Sequence, residues 1–202
     1  MSIQPLALTE QHLQLAVLRL LDVCVHVQDD LYGYLGTAAL ETSPRILPTL
    51  EWLRRRNVDV CLLSDLGEAD TATVLARLGW AVGEGQTVRY LICEQGRQDN
   101  PVVSAARLAG NLDPNAVFTV GDTPRLLHAS HAAGAYFTLG VSSGRSPYHL
   151  LATAPHHMLL DQVMQLPNFL LSHLPEVPPE QVHQRPRSWS GLPLLWLPRP
   201  LA

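Results

Sequence analysis

Strand-length apolar runs alternate with helix-length amphipathic segments along most of this chain, and that alternation constrains the fold more than any other feature. Strand, helix, strand is the pattern of parallel βαβ units, because two parallel neighbours need a crossover that packs back onto the sheet. The apolar runs are Val17 to Val25, Val58 to Leu63, Val88 to Cys93, Ala116 to Val120, Tyr136 to Val141 and Met158 to Leu160. Helices are predicted from Ser43-Pro44 onward, with Ser43 as N-cap and Pro44 at the first helical position, and over Asp70 to Leu78, Pro101 to Leu108, Leu126 to Ala133 and Val163 to Leu174. Gly79, Gly110 and Gly134 supply stops. Asp29, Asp30, Gly33 and Gly36 mark a turn-rich stretch after the first run. The expected fold class is α/β, a mainly parallel, Rossmann-like sheet with helices on both faces, filling one domain over residues 1–174.

Residues 175–202 differ in kind. They hold seven prolines together with Trp189 and Trp196. Such proline density forbids a regular helix or central strand. The run from Gly191 to Pro198 is apolar enough to favour docking on its own domain or on a partner protein.

Composition removes several functions. All fourteen basic residues are arginine, so no lysine is present to form a Schiff base or to serve a phosphate-binding P-loop. A net charge of −4 without a basic stripe argues against nucleic acid as a partner. Cys24, Cys61 and Cys93 are odd in number, lack Cys-x-x-Cys spacing and sit in or at the end of apolar runs, as reduced, buried thiols do. No apolar run approaches the roughly 18–20 residues of a membrane span, and the N-terminus lacks the pattern of a signal peptide. A soluble, cytoplasmic protein is expected.

An open parallel sheet binds ligands beyond the carboxyl ends of its strands. The residues placed there are Asp22, Cys24 and His26; Ser64 and Asp65; Glu94, Gly96 and Arg97; and Gly121, Asp122 and Thr123. Carboxylates, a hydroxyl and a guanidinium at one edge form a set suited to magnesium-assisted phosphoryl transfer. The histidines favour packing roles. His128 and His131 lie three apart on one helix and His156-His157 flank a strand, but nothing is spaced with them to complete a zinc set.

The order apolar strand-Asp, apolar strand-Ser, Gly-Arg and apolar strand-Gly-Asp-Thr resembles the four motifs of the haloacid dehalogenase (HAD) superfamily. The stretches from Leu62 to Trp80, from Glu94 to Ala135 and from Leu139 to Pro167 are similar to its phosphonatase-like branch. The resemblance covers about residues 17 to 171. It implies a HAD core in which Asp22 is the nucleophile and first metal ligand, and the Cys24 carbonyl and Asp122 complete a magnesium site. Ser64 and Arg97 would bind the phosphate, and the substrate would be a small phosphorylated metabolite, hydrolysed through an aspartyl-phosphate.

Departures from the family pattern are equally specific. The family's Asp-x-x-Gly-Thr reads Asp22-Val-Cys-Val25-His26, so the glycine and threonine are absent. The second acid, which many members use as a proton donor two residues after the nucleophile, is Cys24, a poor donor to a leaving alkoxide. The second acid of the fourth motif is Leu126. About twenty residues separate Val25 from Arg45, too few for a helical cap, so the fold is expected to be capless. Two functional readings follow: a HAD-like hydrolase of weak or altered phosphatase activity, or an inactive pseudoenzyme serving as a binding or protein-interaction module. A homodimer whose second subunit covers the site is a third arrangement.

Overall fold

The computed structural model describes residues 13–173, except 29, 32, 34 and 97. Six parallel strands form the sheet. In chain order they are β1 (Leu15–Arg19), β4 (Asp59–Ser64), β5 (Tyr90–Cys93), β6 (Val117–Gly121), β7 (Phe137–Val141) and β8 (Met158–Leu160), while β2 (Val25–Val27) and β3 (Leu40–Thr42) form a separate antiparallel hairpin. The helices are α1 (Ile46–Arg55), α2 (Glu68–Leu78), α3 (Pro101–Leu108), α4 (Pro124–Ala133), α5 (Tyr148–Thr153) and α6 (Leu166–His173).

The spatial order is β5-β4-β1-β6-β7-β8, so β1 is central and the chain crosses to its other side between β5 and β6. That reversal opens the crevice at the carboxyl ends of β4, β1 and β6. Side chains of β1 alternate between two cores, as the two-residue strand period requires. Ala16, Leu18 and Leu20 join Ile46, Leu50 and Leu53 of α1, Val74 and Leu75 of α2 and Phe169 of α6. Leu15 and Val17 join Val102, Ala105 and Ala106 of α3 and Leu126 of α4. Helices therefore cover both faces, and burying each such Leu or Val contributes about 1.5–3 kcal/mol. Three cysteines are free and buried, and burial pushes the Cys61 thiol up to about 12.

Four expectations change. The apolar run Val17 to Val25 is not one strand: β1 ends at Arg19, and the Leu20 carbonyl accepts the N–H groups of Cys24 and Val25 in a tight turn before β2. Continuous apolarity hid the break, because Leu20, Leu21, Val23 and Cys24 are all buried, inside the turn as much as inside the strand. Secondly, the turn-rich stretch returns as β3, which pairs Leu40 with Val27. Thirdly, Ser43 does not cap α1. Its hydroxyl donates to the Val23 carbonyl at 2.6 Å, and the helix starts after Arg45, which is left-handed at φ 57°. Finally, α5 fills a stretch where no helix was predicted. Residues 174–202, including the proline-rich segment, lie outside the described residues.

Candidate active site

Loops after β1, β4, β6 and β7 meet at the carboxyl edge. Arg19, the last residue of β1, holds the centre: its Nη1 donates to Asp122 Oδ1 at 2.8 Å and its Nη2 to Asp65 Oδ2 at 2.9 Å. Only 14% of its side chain is exposed, and the Asp122 side chain is fully buried. Burial pulls the Arg19 pKa down, but Asp122 and Asp65 more than compensate, so the guanidinium is held above its ordinary value and stays charged.

Arg145, from the loop after β7, closes the other side. Its backbone N–H donates to Asp122 Oδ2 at 3.2 Å, and its Nε lies 3.1 Å from Asp22 Oδ2, an ion-pair contact rather than an aligned hydrogen bond. The loop is packed hard on the acid: a Cβ on Gly144 would stand 2.3 Å from Asp122 Cβ. Asp22 occupies the left-handed region at φ 66° inside the β1–β2 turn, a conformation that Asp tolerates better than most residues. Burial raises the Asp22 carboxyl above its ordinary value, Arg145 opposes that, and the neighbouring Asp122 adds to it.

The other sequence-predicted residues point elsewhere. Ser64 is fully buried at the end of β4, where its hydroxyl lies 2.8 Å from the Thr71 hydroxyl of α2 and accepts the Leu66 N–H. Cys24 has no exposed surface, its carbonyl accepts the Ser43 N–H at 2.9 Å, and burial pushes its thiol up. Arg97 lies outside the described residues. Thus Asp22 and Asp122 come together, linked through Arg145, whereas Ser64 and Cys24 are engaged in internal contacts. His26 meets the Ser43 hydroxyl at 3.1 Å, and His157 Nδ1 accepts the Thr138 N–H at 3.0 Å, both structural contacts.

Sequence reasoning gave Arg19 and Arg145 no role and left Asp65 as a bystander. One signal pointed to Arg19: it is the sole charged residue in the run from Leu15 to Leu21, at the mouth of the central strand. Beside this cluster lies a cavity of about 230 Å³ whose polar lining is Arg19, Asp65, Glu94, Thr123 and Arg125. Burial holds the Glu94 carboxyl above its ordinary value, against the opposing pull of Arg125.

No protein-family model matches this chain, and no curated protein matches it. Solved structures do. A Clostridium difficile protein described as a phosphatase superposes with a TM-score of 0.63 at 11% identity, covering 79% of this chain and 99% of its own. The cobalt-bound deoxy-D-mannose-octulosonate 8-phosphate phosphatase of Haemophilus influenzae gives 0.55 at 14% identity, over 75% and 80%. A Bacteroides fragilis protein described as a haloacid dehalogenase-like hydrolase gives 0.52 at 21%, over 63% and 60%. The chain has the HAD fold.

The magnesium that the motif resemblance implies is the cation to test against these residues; one neighbour of the same fold is cobalt-bound. The donors do not fit it. Magnesium takes oxygen ligands at about 2.0–2.1 Å in near-octahedral geometry. Here both Asp122 oxygens accept N–H groups, Asp22 Oδ2 faces Arg145, Asp65 Oδ2 accepts from Arg19, and the Cys24 carbonyl is used by Ser43. Among the described residues, no group of three or more His, Cys, Asp and Glu side chains is arranged to hold a metal ion. What this chain builds at the carboxyl edge is a salt-bridge network of two guanidiniums and three carboxylates.

Proposed function

We propose that this chain is a catalytically silent member of the HAD fold, a pseudoenzyme that serves as a binding and interaction module. The observation that carries this reading is Arg19: at the end of the central strand it is bound to Asp122 and Asp65, where the site would need free carboxylate oxygens. Asp22 supports it too. A nucleophilic carboxylate should be ionised and unencumbered, whereas this one is desolvated, is held above its ordinary pKa and faces Arg145.

The phosphatase reading draws on the fold of its neighbours and on the motif strings after β4, β5 and β6, which also carry the kinship with the phosphonatase-like branch. In that reading Asp22 attacks phosphorus, Ser64 and Arg97 hold the phosphate, and magnesium is the cofactor. The contacts of Ser64 and Cys24 weigh against it. In the favoured reading the proline-rich segment 175–202, with Trp189 and Trp196, supplies the element that docks on a partner protein. No helix among the described residues is long and apolar enough to cross a membrane. The cytoplasmic location is assigned from the three free, buried cysteines.

The test is turnover of a broad panel of phosphorylated metabolites by the full-length chain in magnesium. Rates equal to those of an Asp22→Asn control are expected. Magnesium-dependent hydrolysis that the control loses overturns the reading.

A further inference from the structure

We propose that the cavity beside the salt-bridge network binds a small zwitterion of the free amino acid class, with Arg125 taking its carboxylate and Glu94 its ammonium. The inference rests on the silent-site reading and deepens it, by naming the ligand class of the binding module.

The cavity is walled by the ends of β1 and β4, by the residue after β5 and by the N-terminal halves of α3 and α4. Its volume of about 230 Å³ admits a molecule of several non-hydrogen atoms rather than a single water. Leu63, Pro101, Leu126 and Ala129 make part of the wall apolar. Asn100 fixes that wall, because its Nδ2 donates to the Ala129 carbonyl of α4 at 2.8 Å while its Oδ1 accepts the Val102 and Val103 N–H groups of α3. The two helices are thus joined at the rim. A cavity held in this way is preformed, and little ordering cost falls on binding.

The polar wall carries both signs, Arg19 and Arg125 against Asp65 and Glu94. Arg19 is committed to its own network, donating to Asp65 at 2.9 Å and to Asp122 at 2.8 Å. Glu94 and Arg125 are not. Glu94 is half-buried and Arg125 exposed, and among the described residues neither side chain makes a hydrogen bond or a contact ion pair. They do feel each other across the cavity: burial raises the Glu94 carboxyl, and Arg125 supplies the main opposing pull. A half-buried carboxylate without a donor is an unfavourable arrangement that a ligand ammonium would relieve.

The balance of charge selects the ligand. A bare anion would gain Arg125 but meet the repulsion of Glu94 and Asp65, and a bare cation would gain Glu94 but meet both arginines. A molecule carrying one charge of each sign satisfies both sides and adds no net charge to a balanced wall. Thr123 assists at the Arg125 end, since its oxygen accepts the Leu126 N–H at 3.4 Å and its O–H is left to donate to a carboxylate. A small aliphatic side chain would then lie against Leu63 and Leu126.

The experiment titrates the full-length wild type by calorimetry with glycine, L-alanine, L-valine and β-alanine, whose charges stand farther apart, and with propionate and ethylamine, which carry one charge each. Thermal unfolding is followed with the same compounds. At least one amino acid should bind saturably and raise the melting temperature, with an affinity about tenfold or more above that of propionate and ethylamine. Glu94→Gln and Arg125→Gln should each weaken that binding by about tenfold or more, as loss of a charge-assisted hydrogen bond does, and Ala129→Leu, which fills the cavity, should abolish it. Arg125 is exposed, so Arg125→Gln alone is read should another variant fail to fold. No saturable binding by any of the amino acids overturns the proposal. So does propionate or ethylamine binding as tightly as the amino acids, and so does binding that the folded variants leave intact. Each of those results leaves the silent-site reading standing, since that reading falls only if wild type turns over phosphate esters in magnesium.

Discussion

β1 and β6 are adjacent, parallel and in register, with Leu18 opposite Val120, yet their carboxyl ends are built on different terms. The end of β6 is a rigid junction between strand and helix. Gly121 lets the strand pass close to Leu126, Asp122 follows with no exposed surface, and Thr123 caps α4, its hydroxyl accepting the Leu126 N–H ahead of Pro124 at the first helical position. The end of β1 instead stops at Arg19 and runs into a turn whose apolar residues go into the core and whose acid, Asp22, sits in left-handed backbone. One end preserves an acid by packing and capping. The other places a guanidinium against that acid, and the difference shows how a sheet can keep its architecture while the negative charge at its mouth is offset by the chain's own arginines.

The largest way to break this comparison is to remove the acid of β6. Asp122→Ala leaves Arg19 buried without its main partner, and breaking one side of a buried ion pair costs about 3–5 kcal/mol. Urea unfolding should show that loss, and a change of under about 1 kcal/mol would mean the pair is solvated. Next comes the loop that presses on Asp122. Gly144→Ala puts a methyl against a side chain that cannot retreat, and overpacking of this kind costs about 1–3 kcal/mol; a neutral result in the same assay would show that the loop yields.

A smaller effect separates the two roles of Ser64. If its hydroxyl serves the Thr71 and Leu66 contacts, Ser64→Ala costs about 1 kcal/mol, the worth of a buried hydrogen bond, and leaves the binding of inorganic phosphate unchanged. Loss of phosphate binding without loss of stability would return Ser64 to the phosphate site.

The smallest effect sharpens the β1 side and carries a sign in pH. The Asp22 carboxyl is raised above 3.8 in the folded chain, so the native state binds this proton more tightly than the unfolded state and stability falls as pH rises through the folded value. Asn tolerates the left-handed turn as Asp does. Asp22→Asn should therefore stabilise the protein above the folded pKa, by less than about 1 kcal/mol after the lost contact with half-exposed Arg145 is counted. That gain should shrink as pH falls toward 3.8. A gain that grows at low pH would reverse the assignment.

Much of this fold was legible because period and punctuation agreed. The runs at Val58, Ala116 and Tyr136 are strands within a residue or two of expectation, and Gly79 and Gly134 end α2 and α4 in left-handed backbone. Legibility failed where apolarity carried no direction. From Val17 to Val25 strand and turn bury their residues equally, so neither the end of β1 nor the return of β3 could be placed. The site was legible as a location and as two acids, Asp22 and Asp122; for Asp122, a strand followed by Gly-Asp-Thr-Pro specifies both burial and a cap. Its charge logic was not legible. Arg19 ends β1 while Asp65 and Arg145 come from the loops after β4 and β7, and their pairing depends on the sheet order β4-β1-β6-β7 rather than on any spacing along the chain.

The central claim is that Arg19 and Asp122 form one unit which closes the carboxyl edge without metal. It is tested most directly by a double-mutant cycle over Arg19→Ala and Asp122→Ala, measured by urea unfolding with EDTA and repeated for wild type in magnesium. The account predicts a coupling energy of about 2–3 kcal/mol between the two residues and a wild-type stability that magnesium leaves unchanged. Additive losses with coupling below about 0.5 kcal/mol, or a wild type that magnesium stabilises, would contradict it.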